Sequence, residues 1–125
     1  MKINILNHNQ AYLEVEVIKD ITIEGKLVPK GGFLTVHVCR TDDLKAHVRT
    51  IVETSSGSDH VYGDVSWSSL FFRTDLEIEG IGVASALIAQ YSLEDTCPTV
   101  TGEFVEPDGH DQYGFPSVPL MFGYA

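Results

Sequence analysis

The chain has 125 residues, 43% of them hydrophobic and 21% charged, with a formal net charge of −10. That length supplies one domain able to bury a core without disulfide or metal staples, and the apolar fraction is too high for intrinsic disorder. No apolar run approaches the ~18–20 residues of a membrane span, and the acidity argues against a protein that grips phosphate backbones or a membrane surface.

The charge is unevenly placed. Residues 1–50 carry a net +1 and residues 51–125 a net −11, with Arg73 the only base in the second part. Such a field keeps a protein soluble and steers basic partners toward it. Met1-Lys2-Ile3 runs directly into alternating residues, so no secretory signal peptide is expected. Cys39 and Cys97 form no CxxC pair, and two free thiols in a reducing compartment are expected.

In chain order, the first forty residues read as short strands joined by turns. Asn7-His8-Asn9-Gln10 has turn composition, and Tyr12 to Ile18 alternates, with Leu13, Val15 and Val17 on one face and Glu14 and Glu16 on the other. Ile21-Thr22-Ile23 leads into a tight turn at Glu24-Gly25. Pro29 to Gly32 makes the next turn, and Phe33 to Cys39 is a strand with Leu34, Val36 and Val38 opposite Thr35, His37 and Cys39.

The spacing then predicts a helix over residues 42–54. Thr41 suits the N-cap, Asp42 and Asp43 the positive end of the dipole, and Leu44, Val48, Ile51 and Val52 one face. That face is expected to pack on Leu34, Val36 and Val38. Thr54 to Asp59 reads as a loop, Val61 to Phe72 as strand-like around Trp67, which is expected in the core or an interface, and Thr99 to Val105 as a strand. Residues 81–92 fit either a helix or a strand. From Gln112 onward there is no charge, while Phe115, Leu120, Phe122 and Tyr124 stand among Pro116 and Pro119. The prolines forbid a regular helix, so an extended apolar arm over 112–125 is expected, set apart from a domain at 1–111.

Catalytic signatures are lacking: the chain contains no G-x-S-x-G, H-E-x-x-H or P-loop. His37, Cys39 and His47 are a conceivable zinc set, but structural zinc sites normally show two closely spaced ligand pairs. Two loops, Asp59-His60-Val61-Tyr62-Gly63-Asp64 and Asp108-Gly109-His110-Asp111-Gln112-Tyr113-Gly114, each join Asp and His to Tyr-Gly. Carboxylates beside imidazole suit a cation or acid–base work, so Asp59, His60, Asp108 and His110 are the metal candidates if there is any metal. Asp and Gly are also the common turn residues, and no metal or cofactor is expected.

Two resemblances bear on function. Glu79-Gly80-Ile81-Gly82-Val83-Ala84 resembles the acetyl-CoA pyrophosphate loop of the GNAT N-acetyltransferases, with Gly82 and Ala84 matching and Glu79 standing where that family has Gln or Arg. The resemblance implies a phosphate cradle at a helix N-terminus. More broadly, Val15-Glu16-Val17-Ile18-Lys19, Ile23-Glu24-Gly25-Lys26 and Pro29-Lys30-Gly31-Gly32-Phe33-Leu34-Thr35-Val36 together resemble small β-barrel modules of bacteriophage virion and accessory proteins.

The expectation is therefore a β-rich α+β domain, a small antiparallel barrel or sandwich with one or two helices and an extended C-terminal arm. Its expected role is that of a non-enzymatic bacteriophage-type structural or accessory protein, in the virion or host cytoplasm. It would act through protein–protein contacts, as a homo-oligomer or in a larger assembly, with Phe115, Leu120, Met121, Phe122 and Tyr124 as the contact residues. The alternatives are an acidic inhibitor covering a basic surface of a host nucleic-acid-handling complex, and a small acyltransferase-like or metal-dependent enzyme.

Overall fold

The computed structural model describes residues 3–7, 10–76 and 93–124. Five antiparallel strands form the main sheet: β1 (Ile3–Asn7), β2 (Gln10–Glu16), β5 (Phe33–Asp42), β6 (Lys45–Thr54) and β7 (Gly57–Ser66), in the spatial order β1-β2-β5-β6-β7. The small hairpin β3 (Ile21–Ile23) and β4 (Lys26–Val28) leaves the sheet between β2 and β5. Helix α1 (Trp67–Arg73) follows β7, and the hairpin β8 (Cys97–Pro98) with β9 (Phe104–Val105) precedes a last helical turn, α2 (Val118–Met121). The sheets do not close into a barrel.

Alternation builds one apolar face. Leu13, Val15, Leu34, Val36, Ala46, Val48, Val61 and Val65 are all buried and share one core cluster. Onto it pack Ile21, Ile23 and Val28 of the small hairpin, Trp67, Leu70 and Phe71 of α1, and Phe115, Val118 and Met121 near the C-terminus. The Trp67 ring meets Phe115 edge-on, with centroids 6.2 Å apart, and the Trp67 side chain is fully buried, as its sequence context predicts.

The helix expected over 42–54 is absent; the segment is a turn and a ten-residue strand. Asp42 pairs with Lys45 across a two-residue turn at Asp43-Leu44, where the Leu44 N–H donates to Asp42 Oδ1 (3.0 Å). A second two-residue turn at Ser55-Ser56 joins β6 to β7 in unbroken register from Lys45↔Ser66 to Thr54↔Gly57. The apolar spacing that suggested a helix arises because β6 carries apolar residues on both faces: Val48 is buried inside, while Ile51 is exposed on the other side. Its run of Val48, Thr50, Ile51, Val52 and Thr54 favours the strand through β-branching.

The strand expected around Trp67 ends at Ser66, whose side chain accepts a hydrogen bond from the Ser69 N–H (3.2 Å) and caps α1. The predicted turn at Glu24-Gly25 is present, with φ +49° and +79°, the left-handed pair that a two-residue hairpin of this hand requires. Glu24 occupies that costly conformation while its carboxylate accepts from the Asp64 N–H on the edge of β7 (3.4 Å). Residues 81–92 and the acyltransferase-like Glu79–Ile88 stretch fall outside the described residues.

The C-terminal segment is not an extended arm apart from the domain. Asp111 ties its start: its Oδ1 accepts from the Tyr113 and Phe115 N–H groups, and its Oδ2 from the Thr101 hydroxyl. Phe115 to Pro119 is buried, and Pro119 sits in the first turn of α2, where a missing N–H costs nothing. The Phe71 and Phe122 rings meet tilted, with centroids 5.3 Å apart. Of the five expected contact residues, Phe115 and Met121 belong to the core, Leu120 and Phe122 are half-buried, and only Tyr124 is exposed.

Candidate functional site

The second face of the main sheet holds a cleft of about 1000 Å³, lined among others by Tyr12, Phe33, His37, His47, Arg49 and Tyr62. Its rim is apolar and open: Phe33, Ile51 and Tyr62 are 53%, 56% and 66% exposed. Lone exposed apolar side chains are ordinary, but here three large ones gather around a single cleft.

Cross-strand register sets the floor. Tyr12 pairs with His37, His37 with His47, and His47 with Asp64, so four neighbouring strands place one row of polar and aromatic groups across the sheet. The Tyr12 and His37 rings meet edge-on at 4.9 Å, and the His37 and His47 rings at 5.8 Å. His47 Nδ1–H donates to Asp64 Oδ1 at 3.1 Å, which fixes that ring. In the next row Arg49 lies between Thr35 and Tyr62.

His37 is the unusual member. Only 9% of it is exposed, yet its Nε2 has no hydrogen-bond partner. A buried polar atom left unpaired costs of order 1–3 kcal/mol and calls for an explanation. Burial holds its pKa below the ordinary histidine value, and the positive charges of Arg49, His47 and Arg40 push it the same way.

Arg40 reaches this cleft through an irregularity. Strict alternation from His37 would send residue 40 to the opposite face, but the β5–β6 register shifts between His37 and Asp42, and Arg40 lines the cleft. Strand bulges re-aim side chains in this way. Among the described residues, neither Arg40 nor Arg49 has a hydrogen-bond or ion-pair partner, although acids outnumber bases 18 to 8 in the chain. Two guanidiniums without a partner among the described residues, beside an apolar rim, are suited to receive a carboxylate carried next to apolar side chains.

The metal candidates are not brought together. Asp59 pairs with Lys26 (3.2 Å), His110 with Asp43 (2.9 Å), and His60 lines the rim of the cleft, while Asp108 lies in the exposed loop after β9. Among the described residues no three His, Cys, Asp or Glu side chains form a metal-binding group. His47, expected on a helix, is on β6 beside His37, and the Cys39 side chain lies outside the described set. Cys97 is a free, buried thiol whose pKa is raised by burial.

Sequence reasoning singled out His37 and His47 but missed Tyr12, Phe33, Arg40, Arg49, Ile51 and Tyr62. Reading 42–54 as a helix removed the central strand on which the face depends. The signal was present in the other parity of the same segment: Lys45, His47, Arg49 and Ile51 alternate against Ala46, Val48, Thr50 and Val52.

Comparison with protein-family models, with curated proteins and with solved structures yields no match. Among the described residues no helix is long and apolar enough to cross a membrane.

Proposed function

We propose that the protein is a non-enzymatic structural or accessory protein, of the bacteriophage type its sequence resembles, acting in the virion or host cytoplasm through protein–protein contacts. The contact surface in this reading is the open face of the five-stranded sheet and not the C-terminal segment, which its own core uses. One observation carries the reading. Among the described residues, three separate elements close one sheet face, while the other has Phe33, Ile51 and Tyr62 exposed around a buried His37 whose Nε2 has no hydrogen-bond partner. An open cleft with an exposed apolar rim suits a protein surface better than a small molecule, whose sites usually bury most of the ligand.

The test compares the native chain with the double variant Ile51→Ser/Tyr62→Ser as bait in cross-linking from phage-infected and uninfected host cells. Proteins captured by the native chain, further copies of itself included, are expected to be lost with the variant. Retention of the same set by a folded variant would remove the sheet face from the reading.

A further inference from the structure

We infer that the open sheet face receives a second copy of this chain, head to tail, through the acidic turn Leu93-Glu94-Asp95. This rests on the reading of the face as a protein-contact surface and names its occupant.

The argument is one of complementarity. The cleft presents two arginines, Arg40 and Arg49, that have no partner among the described residues, and an apolar rim, above a His37 whose Nε2 is buried without a hydrogen-bond partner. It needs carboxylates beside an apolar side chain. Leu93 is 87% exposed, the most exposed large apolar residue described, and Glu94 and Asp95 follow it, both exposed. Neither acid has a hydrogen bond or ion pair among the described residues. The same acidic stretch also exposes Phe104, at 62%. What the cleft lacks, this turn carries. Guanidiniums pair with carboxylates through two parallel hydrogen bonds, and Leu93 would lie against Phe33, Ile51 or Tyr62.

The geometry of such a contact has a consequence. Cleft and turn are different surfaces of one chain, so in the head-to-tail arrangement each copy that gives its turn still offers its cleft. Repetition builds a ring or a filament, the form of a protein that works by assembly. A two-fold face-to-face dimer would instead bring the unpaired arginines of both copies to one interface, where like charges oppose association. Because the pairs lie near solvent, assembly should also weaken with salt.

The experiment mixes two defective chains. Arg40→Glu/Arg49→Glu destroys the cleft and keeps the turn, while Glu94→Lys/Asp95→Lys destroys the turn and keeps the cleft. Sedimentation and light scattering of the full chain should show native protein that grows in mass with concentration and loses at least tenfold in association constant between low and high salt. Each variant alone should be monomeric, with a melting curve like that of the native chain. Mixed at equal concentration, they should give a discrete heterodimer that grows no further, since one cleft and one turn remain. The inference is overturned if the native chain stays monomeric at all concentrations, if either folded variant assembles as the native chain does, or if the mixture stays monomeric. Should Ile51→Ser/Tyr62→Ser abolish cross-linking while Glu94→Lys/Asp95→Lys leaves it intact, the face keeps its proposed role and the second copy is excluded as its occupant. Should neither pair of substitutions change cross-linking, both readings fall.

Discussion

The two faces of the main sheet are made from the same strands and obey opposite rules. On β6, Val48 is sealed in the core formed with the small hairpin, α1 and the C-terminal segment, while its neighbour Arg49 faces a cleft in which it has no partner among the described residues. The inner face is closed by packing, although Trp67 Nε1 is buried there without a hydrogen-bond partner. Among the described residues, the outer face keeps an orphaned imidazole nitrogen, two unpaired guanidiniums and an apolar rim. A fold that places three elements on one face and leaves such groups on the other separates a packed face from an open one largely by strand parity, because successive residues point to opposite sides; Arg40 crosses over, through the register shift in β5.

Strand parity makes its strongest prediction on β6. Val48→Asp places an unpaired carboxylate in a fully buried position and should cost more than about 4 kcal/mol, enough to unfold a small domain. Ile51→Asp, three residues along on the open face, should shift stability by less than about 1 kcal/mol. Urea unfolding of both variants checks the contrast, and a similar loss in each would show that the two faces are not distinct.

The next largest effect concerns the C-terminal segment. Phe115→Ala removes a fully buried ring that meets Trp67 edge-on, and such truncations typically cost about 3–5 kcal/mol. The loss should be the same at every protein concentration, because the ring seals its own domain. A variant as stable as the parent but changed in assembly would restore the segment as an intermolecular arm.

How much of this was legible follows from which signals are local. The alternation of Leu13, Val15 and Val17 and the Glu24-Gly25 turn are short-range and were readable, as was the burial of Trp67. The segment 42–54 was not. A strand with apolar residues on both faces mimics helical spacing, and Thr41-Asp42-Asp43 serves a turn as well as it would serve a helix N-terminus. The fate of the C-terminal segment depends on long-range contacts, Phe115 with Trp67 and Phe122 with Phe71, that composition does not encode. The cleft was illegible for the same reason: its groups come from β2, β5, β6 and β7, and Arg40 enters only through a register shift.

A smaller effect tests the link between the hairpin and the sheet edge. A Cβ at Gly63 would stand 2.2 Å from Glu24 Cγ, so Gly63→Ala should displace that side chain and its contact with the Asp64 N–H, at about 1–2 kcal/mol. Glu24 is flexible at its far end, so Glu24→Gly should relieve both the clash and the left-handed strain. Thermal melts of the single and double variants should show the pair to be non-additive.

The smallest expected effect is the pH response of the open face. His37 holds its proton less tightly in the folded chain than in the unfolded one, chiefly because it is buried and then because Arg49, His47 and Arg40 surround it. The unfolded chain therefore binds more protons as pH falls through the ordinary histidine range near 6.5, and stability drops in that direction. The contribution of His37 is intact above that value and is lost as pH falls toward its lower, folded-state pKa. Facing it are Tyr12 from β2, Arg40 from its own strand, and His47 and Arg49 from β6, with Asp64 engaged by His47. His37→Gln keeps a polar side chain but cannot titrate, so the difference in urea midpoint between pH 7.5 and 5.5 should shrink in the variant. An unchanged difference would mean that His37 is solvated in the folded chain, and the contrast between a packed inner face and an open outer one would lose its central residue.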